Sequence, residues 1–434
     1  MNRNSVFFLF VAVSIALGFY LGRSTIKPDA KSVDEPKVEE PLDAQLQKKE
    51  NELIFLRSKL RSRNITENPD SYANLSSDGV RSLLRKALND ANPITRSATF
   101  ASLLSDLSPQ NIDAVLDVYE DIPMGFENMH EYQLLLFGWA KFDPQGAIDY
   151  CKERATGIGA GFATSGVLHG WASENPRAAL AWVQAPENVG MSKLYNFGLV
   201  RGWASKDLPE ATAYVAGLEK GGDRHELVKI LTREQLKKGF SPTRLWVESI
   251  DDQDMKKSAF TNLTQQRSRE HPVAVASWLK EHAGEAYAEG SLQRLGDNWG
   301  QRDPAAAALF FDELPAGEGR TGGMKEVVKH WTKEDPEATG NWINQKDPSP
   351  EMDPVVAAYA KEVSKADGAG AMKWAVTITE PKLQEKVVTS VGHNWYRQDK
   401  DSVESWLPQS GLAEETQNAI RKPPKQGWFE KLFR

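Results

Sequence analysis

Aromatic side chains recur every 32 residues between positions 127 and 414 of this chain, with no insertion or deletion. Two such columns, eleven residues apart, run through nine consecutive units. The first column is Trp139, Trp171, Trp203, Gln235, Arg267, Trp299, Trp331, Val363 and Trp395, and the second is Tyr150, Trp182, Tyr214, Trp246, Trp278, Phe310, Trp342, Trp374 and Trp406. A fixed period of this length is typical of a solenoid, in which each unit buries its apolar face against its neighbours.

Each unit has the pattern of two helices, which we call helix A and helix B, with the first aromatic column as position 0. Apolar residues at positions −7, −4 and 0 share one side of a 3.6-residue helix, which predicts helix A. An Asp or Asn stands at position +4 of seven units, often followed by proline, and this pair is typical of the start of a helix, here helix B. We predict an all-α fold, a right-handed α-solenoid of nine 32-residue helix-turn-helix repeats over residues 127–414, with the aromatic columns in its core.

Three segments of different composition precede the repeats. Residues 6–22 form an uncharged apolar run that would extend about 25 Å as a helix. We therefore predict a membrane anchor over residues 1–23, with a cleaved signal peptide as the alternative. Residues 24–41 combine proline and charge, which predicts a disordered linker. Leucines at heptad-like spacing in residues 42–63 predict either a short coiled coil, which would make a homo-oligomer, or a lone amphipathic helix.

The segments on either side of the repeats also have distinct patterns. Residues 75–126 contain helical segments out of the 32-residue phase, and we predict that they cap the amino-terminal end of the solenoid. Residues 415–434 form a basic and aromatic tail that would either touch an anionic membrane surface, dock into a groove, or cover the last helix pair. The single cysteine, Cys151, stands where other units place Val, Leu or Ile, so we expect a core residue.

The sequence contains no evident catalytic, cofactor or metal motif. His225-Glu226 lacks the second histidine that a zincin site requires. Gly157, Gly159 and Gly161 follow no strand and match no phosphate-binding loop, so we interpret them as a flexible turn between units. We assign no catalytic, cofactor-binding or metal-binding residue and expect a protein that is not an enzyme.

One chemical pattern remains, on the side of helix A opposite the core. Ten of the 18 residues at positions −2 and +2 are Lys or Arg and one is acidic, although the formal net charge of the chain is −7. Nine of them are our candidate partner-binding residues, which we call the basic face: Arg201, Arg233, Lys237, Arg269, Lys329, Lys333, Lys361, Lys365 and Arg397. The alternative is that these cations only complement the helix dipole and pair with carboxylates of adjacent units.

A basic face of this kind suits an acidic peptide, a protein partner or an anionic glycan. A sequence pI of 5.7 lacks the basic excess of most nucleic-acid-binding proteins and argues against nucleic acid. We predict no cofactor.

The A-x-x-x-W step in helix B, as in Ala178 to Trp182 and Ala338 to Trp342, and the Asp-Pro entry resemble the tetratricopeptide-like class of helix-pair repeats. The period of 32 residues differs from the ~34 of that class. The chain is also similar to uncharacterised bacterial envelope proteins with tandem W-x-x-x-D-P repeats. The resemblance implies that helix A lines a concave face and that the protein is an adaptor.

These observations lead us to expect a membrane-tethered scaffold or adaptor, single-pass in the bacterial inner membrane, with its repeats in the periplasm and a protein or peptide partner. Two alternatives remain open. The first is an enzyme that acts on an envelope polymer, with a site where the aromatic column breaks, at Gln235 and Arg267. The second is a purely structural spacer.

Overall fold

The computed structural model of the chain describes residues 75–122, 128–155 and 157–422, and within them it contains α-helices, short 3-10 turns and no β-strand. The all-α prediction is confirmed for these residues. Three helices come first: α1 (Ser77–Leu88), α2 (Pro93–Ser105) and α3 (Ile112–Tyr119). In the described part of the chain the A helices are α4 (Met129–Trp139), α6 (Gly157–Glu174), α8 (Ser192–Lys206), α10 (Gly222–Leu236), α12 (Gln253–Arg267), α14 (Glu289–Gly300), α16 (Glu318–Glu334), α18 (Asp353–Val363) and α20 (Pro381–Gln398). The B helices are α5 (Pro144–Arg154), α7 (Pro176–Val183), α9 (Leu208–Ala216), α11 (Phe240–Glu248), α13 (Pro272–Lys280), α15 (Pro304–Asp312), α17 (Pro336–Asn344), α19 (Gly368–Ala375) and α21 (Lys400–Trp406), and α22 (Glu414–Arg421) follows.

The B helices begin at position +4, as predicted. Seven residues there are N-caps, and the side chain of each accepts a hydrogen bond from the backbone N–H three residues later: Asp143, Asn175, Asp207, Asp303, Asp335, Asp367 and Asp399. Gly239 and His271 occupy the same position in the other two units, and neither supplies a side-chain cap. The acidic column is therefore explained by helix capping rather than by catalysis.

The A helices form one continuous packed layer. Each of them contacts the A helix of the next unit, from α4 through α20, and α22 extends the series by packing on α20. In the first eight units, the B helix contacts the A helix of its own unit and that of the following unit. This stack of nearest-neighbour contacts is the helical repeat that the 32-residue period predicts.

The aromatic columns belong to the core, as predicted. Where both rings of a unit are present they pack on each other, and the ring centroids of Trp139 and Tyr150 lie 5.5 Å apart. In the unit where Val363 replaces the first ring, Tyr359 contacts Trp374 instead, with centroids 4.8 Å apart. Tyr359 stands one helical turn before Val363, so a neighbouring residue of helix A supplies the missing ring.

Two local predictions have opposite outcomes. Cys151 is fully buried, as its place among apolar core positions predicts. The prediction of a turn at the glycine cluster is wrong, because Gly159 and Gly161 lie within α6, which begins at Gly157. A Cβ atom at position 161 would overlap the side chain of Leu194 in α8, so glycine here permits close approach of two helices.

The predicted membrane anchor (1–23), linker (24–41) and coiled coil or amphipathic helix (42–63) lie outside the described residues. Among the residues that are described, no helix combines the length and the apolar character needed to cross a membrane. The segment predicted to cap the repeats contributes α1 to α3, and α2 contacts α4 of the first unit.

The segment predicted as a basic and aromatic tail, residues 415–434, begins within α22. Ile420 of this helix is fully buried and lies against Gly392 of α20. The start of the segment therefore continues the packed layer, whereas residues 423–434 lie outside the described residues.

Candidate functional site

The basic face is exposed along the series of A helices. All nine of its residues are exposed to solvent: Arg201, Arg233, Lys237, Arg269, Lys329, Lys333, Lys361, Lys365 and Arg397. In α8, for example, Leu199 and Trp203 are buried on the opposite side of the helix from Arg201. Because each A helix packs on the next, equivalent positions on successive helices form a connected surface.

Cations from three units surround a histidine of the second unit. His169 lies at position −2 of the second unit, and its ring centroid is 4.6 Å from that of Phe137 in the first unit. Burial, the largest cause, together with the positive charges of Arg201, Lys237 and Lys141, lowers the pKa of His169 to about 3. Positive charges on units one, three and four thus all act on the imidazole of the second unit.

A second group of cations lies in the last three units. Partial desolvation by the surrounding helices lowers the pKa of Lys361 although its side chain reaches solvent, and the nearby positive charges of Lys386 and Lys325 add to this effect. Lys325 belongs to α16, Lys361 to α18 and Lys386 to α20. Positive charges from the two neighbouring A helices therefore act on Lys361.

Carboxylates pair with part of the basic face, as the alternative interpretation expected. Arg201 lies 3.7 Å from Glu234 of the next unit, and Lys237 pairs with the same carboxylate. The Glu234 side chain is 5% exposed, against 62% for Lys237. The acid thus lies beneath its basic partners, and the cationic groups form the outer layer.

Two more lysines repeat this arrangement on their own helices. Lys329 lies 3.1 Å from Glu326, and Lys365 lies 2.7 Å from Glu362, in each case three residues apart. Both carboxylates are much less exposed than the lysines that cover them. Four of the nine basic-face residues are therefore paired with an acid.

The remaining five residues are not neutralised by carboxylates. Arg269 and Arg397 each donate a hydrogen bond of 3.3 Å to an asparagine side-chain oxygen. Within the described part of the chain, Arg233, Lys333 and Lys361 form no ion pair. Intramolecular neutralisation of the basic face is thus partial, and these three cations remain available to an external anion.

One acidic residue interrupts the face in the sixth unit. The Oδ1 atom of Asp297 lies 2.8 Å from Nε2 of His330 in the next unit. Arg294 lies 3.1 Å from the other carboxylate oxygen, and Gln301 donates to Oδ1 at 3.3 Å. Asp297 is therefore held by residues from two adjacent A helices.

Glu326 joins Asp297 and His330 to form a group that sequence reasoning missed. One donor atom from each of these three residues lies within 4.8 Å of the other two. The signal was Glu-x-x-x-His at 326 to 330, which places both side chains on one helix face, with an acid in the preceding unit.

The position suggested for an enzyme site, Gln235, is part of the packed interior. Its side chain is buried and donates a hydrogen bond to the backbone oxygen of Pro242.

The low pKa of His169 predicts a specific acid sensitivity. The unfolded chain binds a proton at this imidazole below pH 6.5, whereas the folded chain does so only near pH 3. His169 therefore reduces stability progressively as the pH falls from 6.5 to 3 and has no such effect above 6.5. We expect His169→Gln to lose less stability than the wild type over this range, measured by urea unfolding at several pH values. Equal pH slopes for the two proteins would contradict the cationic, desolvated environment described here.

Comparison with known proteins yields no relative, because no family model, no curated protein and no solved structure matches the chain. The resemblance to tetratricopeptide-like repeats therefore rests on the sequence pattern. The residues of the basic face carry the functional inference.

Proposed function

We propose that this protein is a membrane-tethered scaffold that binds an acidic segment of another protein along the basic face. The observation that carries the proposal is the exposure of all nine cations on connected A helices, with three of them lacking any ionic partner in the described residues. Exposed, unpaired cations in a row are the usual counterpart of an acidic chain.

The spacing of the units favours a peptide as the bound chain. Packed helices lie about 8–10 Å apart, and an extended peptide advances about 3.3 Å per residue. An acidic residue at about every third position of an extended segment would therefore meet one helix of the series after another. The buried carboxylate of Glu234 beneath Lys237 and the half-buried carboxylate of Glu362 beneath Lys365 restrain those two lysine side chains and reduce the entropy lost on binding.

The finer features of the proposal rest on sequence. The right-handed, tetratricopeptide-like superhelix follows from the helix-pair pattern, and the adaptor role follows from that resemblance. The tether is residues 6–22, which would place a single-pass protein in the bacterial inner membrane with its repeats in the periplasm. A coiled coil at residues 42–63 would add homo-oligomerisation.

Charge reversal at the three unpaired cations tests the proposal without breaking an internal ion pair. The variant Arg233→Glu, Lys333→Glu, Lys361→Glu should bind a fluorescein-labelled oligo-glutamate peptide at least about tenfold more weakly than the wild type, because exposed charge pairs contribute up to about 1 kcal/mol each. Wild-type affinity should also fall as salt is raised. Fluorescence anisotropy measures both effects, and circular dichroism should show unchanged helicity.

A matched control carries the same change in net charge elsewhere. Lys220, Lys373 and Lys382 are exposed and stand at neither position −2 nor +2 of helix A. Their reversal to Glu should leave peptide affinity close to that of the wild type. Equal losses of affinity in the two triple variants would mean that only net charge matters and would reject the basic face as the site. Absence of peptide binding by the wild type itself would favour a structural spacer.

A further inference from the structure

The group formed by Asp297, Glu326 and His330 has the composition of a metal site. Asp297 comes from α14, and Glu326 and His330 stand four residues apart on one face of α16. Their side chains are 24%, 12% and 18% exposed, so all three are largely held inside the layer of A helices. The group joins two carboxylates to an imidazole, and it spans the contact between two units.

The contacts of this group leave room for an ion. A pocket of about 310 Å³ opens beside the two carboxylates of the group, and its lining residues are Gly290, Gln293, Arg294, Asp297, Glu326 and Lys329. Arg294 and Lys329 are among these lining residues, and each pairs with one of the carboxylates. Both cations are nearly half exposed and flexible, so an incoming divalent ion can displace them toward solvent.

The donor distances are close to those of a bound state. Ligands on one Zn²⁺ ion stand about 3.4 Å apart, given metal–ligand distances of about 2.0–2.2 Å. The structure has Nε2 of His330 at 2.8 Å from Asp297 and all three donor atoms within 4.8 Å of one another. Side-chain movements of about 1 Å would therefore complete a three-ligand site.

We propose that Asp297, Glu326 and His330 bind one divalent transition-metal ion, of the zinc class, between the sixth and seventh units. The imidazole nitrogen selects such an ion over Mg²⁺ or Ca²⁺, which take oxygen ligands. Three protein ligands leave a coordination position open toward the pocket. The ion would cross-link α14 and α16 and neutralise the two carboxylates, one of which interrupts the basic face. This proposal does not depend on peptide binding.

The test uses the full chain in mild detergent, stripped with a chelator and titrated with Zn²⁺ by isothermal calorimetry. We expect about one high-affinity ion per chain and a rise in melting temperature on Zn²⁺ addition, since an ion that binds only the folded state stabilises it. Glu326→Gln and His330→Gln should each weaken binding at least about tenfold, because substitutions even outside the ligand shell commonly cost 10–100-fold. Mg²⁺ should neither bind comparably nor compete.

A variant that is expected to strengthen Zn²⁺ binding distinguishes a metal site from an ordinary polar network. Lys329→Met removes the cation that pairs with Glu326 and should strengthen Zn²⁺ binding, whereas a polar network alone predicts no gain. The matched control is His225→Gln, since Nε2 of His225 lies 3.3 Å from Asp254 in a similar pocket where, among the described residues, no third donor atom lies within 4.8 Å of both. The proposal would be overturned if Glu326→Gln and His330→Gln both left Zn²⁺ affinity unchanged. It would also be overturned if His225→Gln reduced Zn²⁺ affinity as much as those two variants do.

Discussion

Replacing Trp278 with alanine is expected to lower the free energy of unfolding by about 3–5 kcal/mol, the usual cost of a large cavity in a packed core. The indole is 1% exposed and stacks on Phe260, with ring centroids 4.7 Å apart. Its Nε1–H donates a 2.8 Å hydrogen bond to Glu248 of the preceding unit. The substitution thus removes packing within one unit and a hydrogen bond to its neighbour.

Urea unfolding followed by circular dichroism measures this loss, because helix content reports on the whole series of units. Trp182→Ala is the comparison, since Trp182 occupies the same column but is only partly buried and should cost less. A cost below about 1 kcal/mol at Trp278 would show that this column does not carry core packing.

Gly198→Ala is expected to destabilise the protein by about 1–3 kcal/mol, even though alanine is normally the better helix former. A Cβ atom at this position of α8 would overlap the backbone oxygen of Ser165 in α6. The added methyl must push the two helices apart, because a backbone oxygen cannot turn aside as a flexible side chain can. The same argument holds at Gly202, where a Cβ atom would overlap the backbone oxygen of His169.

Gly166 provides the control for this prediction. It also lies within α6, but a Cβ atom there would meet nothing within 4 Å. Gly166→Ala should therefore stabilise the protein by about 0.5–1 kcal/mol through the lower entropy of the unfolded chain. The melting temperature should therefore fall below that of the wild type in Gly198→Ala and rise above it in Gly166→Ala. Stabilisation by Gly198→Ala would contradict the close approach of α6 and α8.

Periodicity predicted the parts of the fold that depend on contacts within one unit or between equivalent positions. Asp335 could be assigned as an N-cap because capping needs only residues close in sequence. Trp342 could be placed in the core because its column repeats with the helix pair. The turn predicted at Gly159 and Gly161 failed because α6 begins at Gly157, and Gly161 lies against the Leu194 side chain of the next unit, a contact that local composition does not reveal.

The candidate site was predicted in part for the same reason. The exposure of Arg233 and Lys361 follows from their place opposite the buried stripe of helix A. The carboxylate of Glu234 beneath Arg201 depends on how two helices are offset along their axes, which a repeat length does not determine. The grouping of Asp297 with His330 depends on the same offset and on side-chain length, so it could be recognised only in the folded chain.

The most direct test of the basic face is a cross-linked pull-down from membranes of cells that produce the full chain. The wild type and the control variant Lys220→Glu, Lys373→Glu, Lys382→Glu should recover a protein with an acidic segment, in yields that fall as salt is raised during capture. The variant Arg233→Glu, Lys333→Glu, Lys361→Glu should lose that protein while keeping its fold and its membrane fractionation. Recovery of the same partners in the same yields from all three proteins would contradict the proposed function.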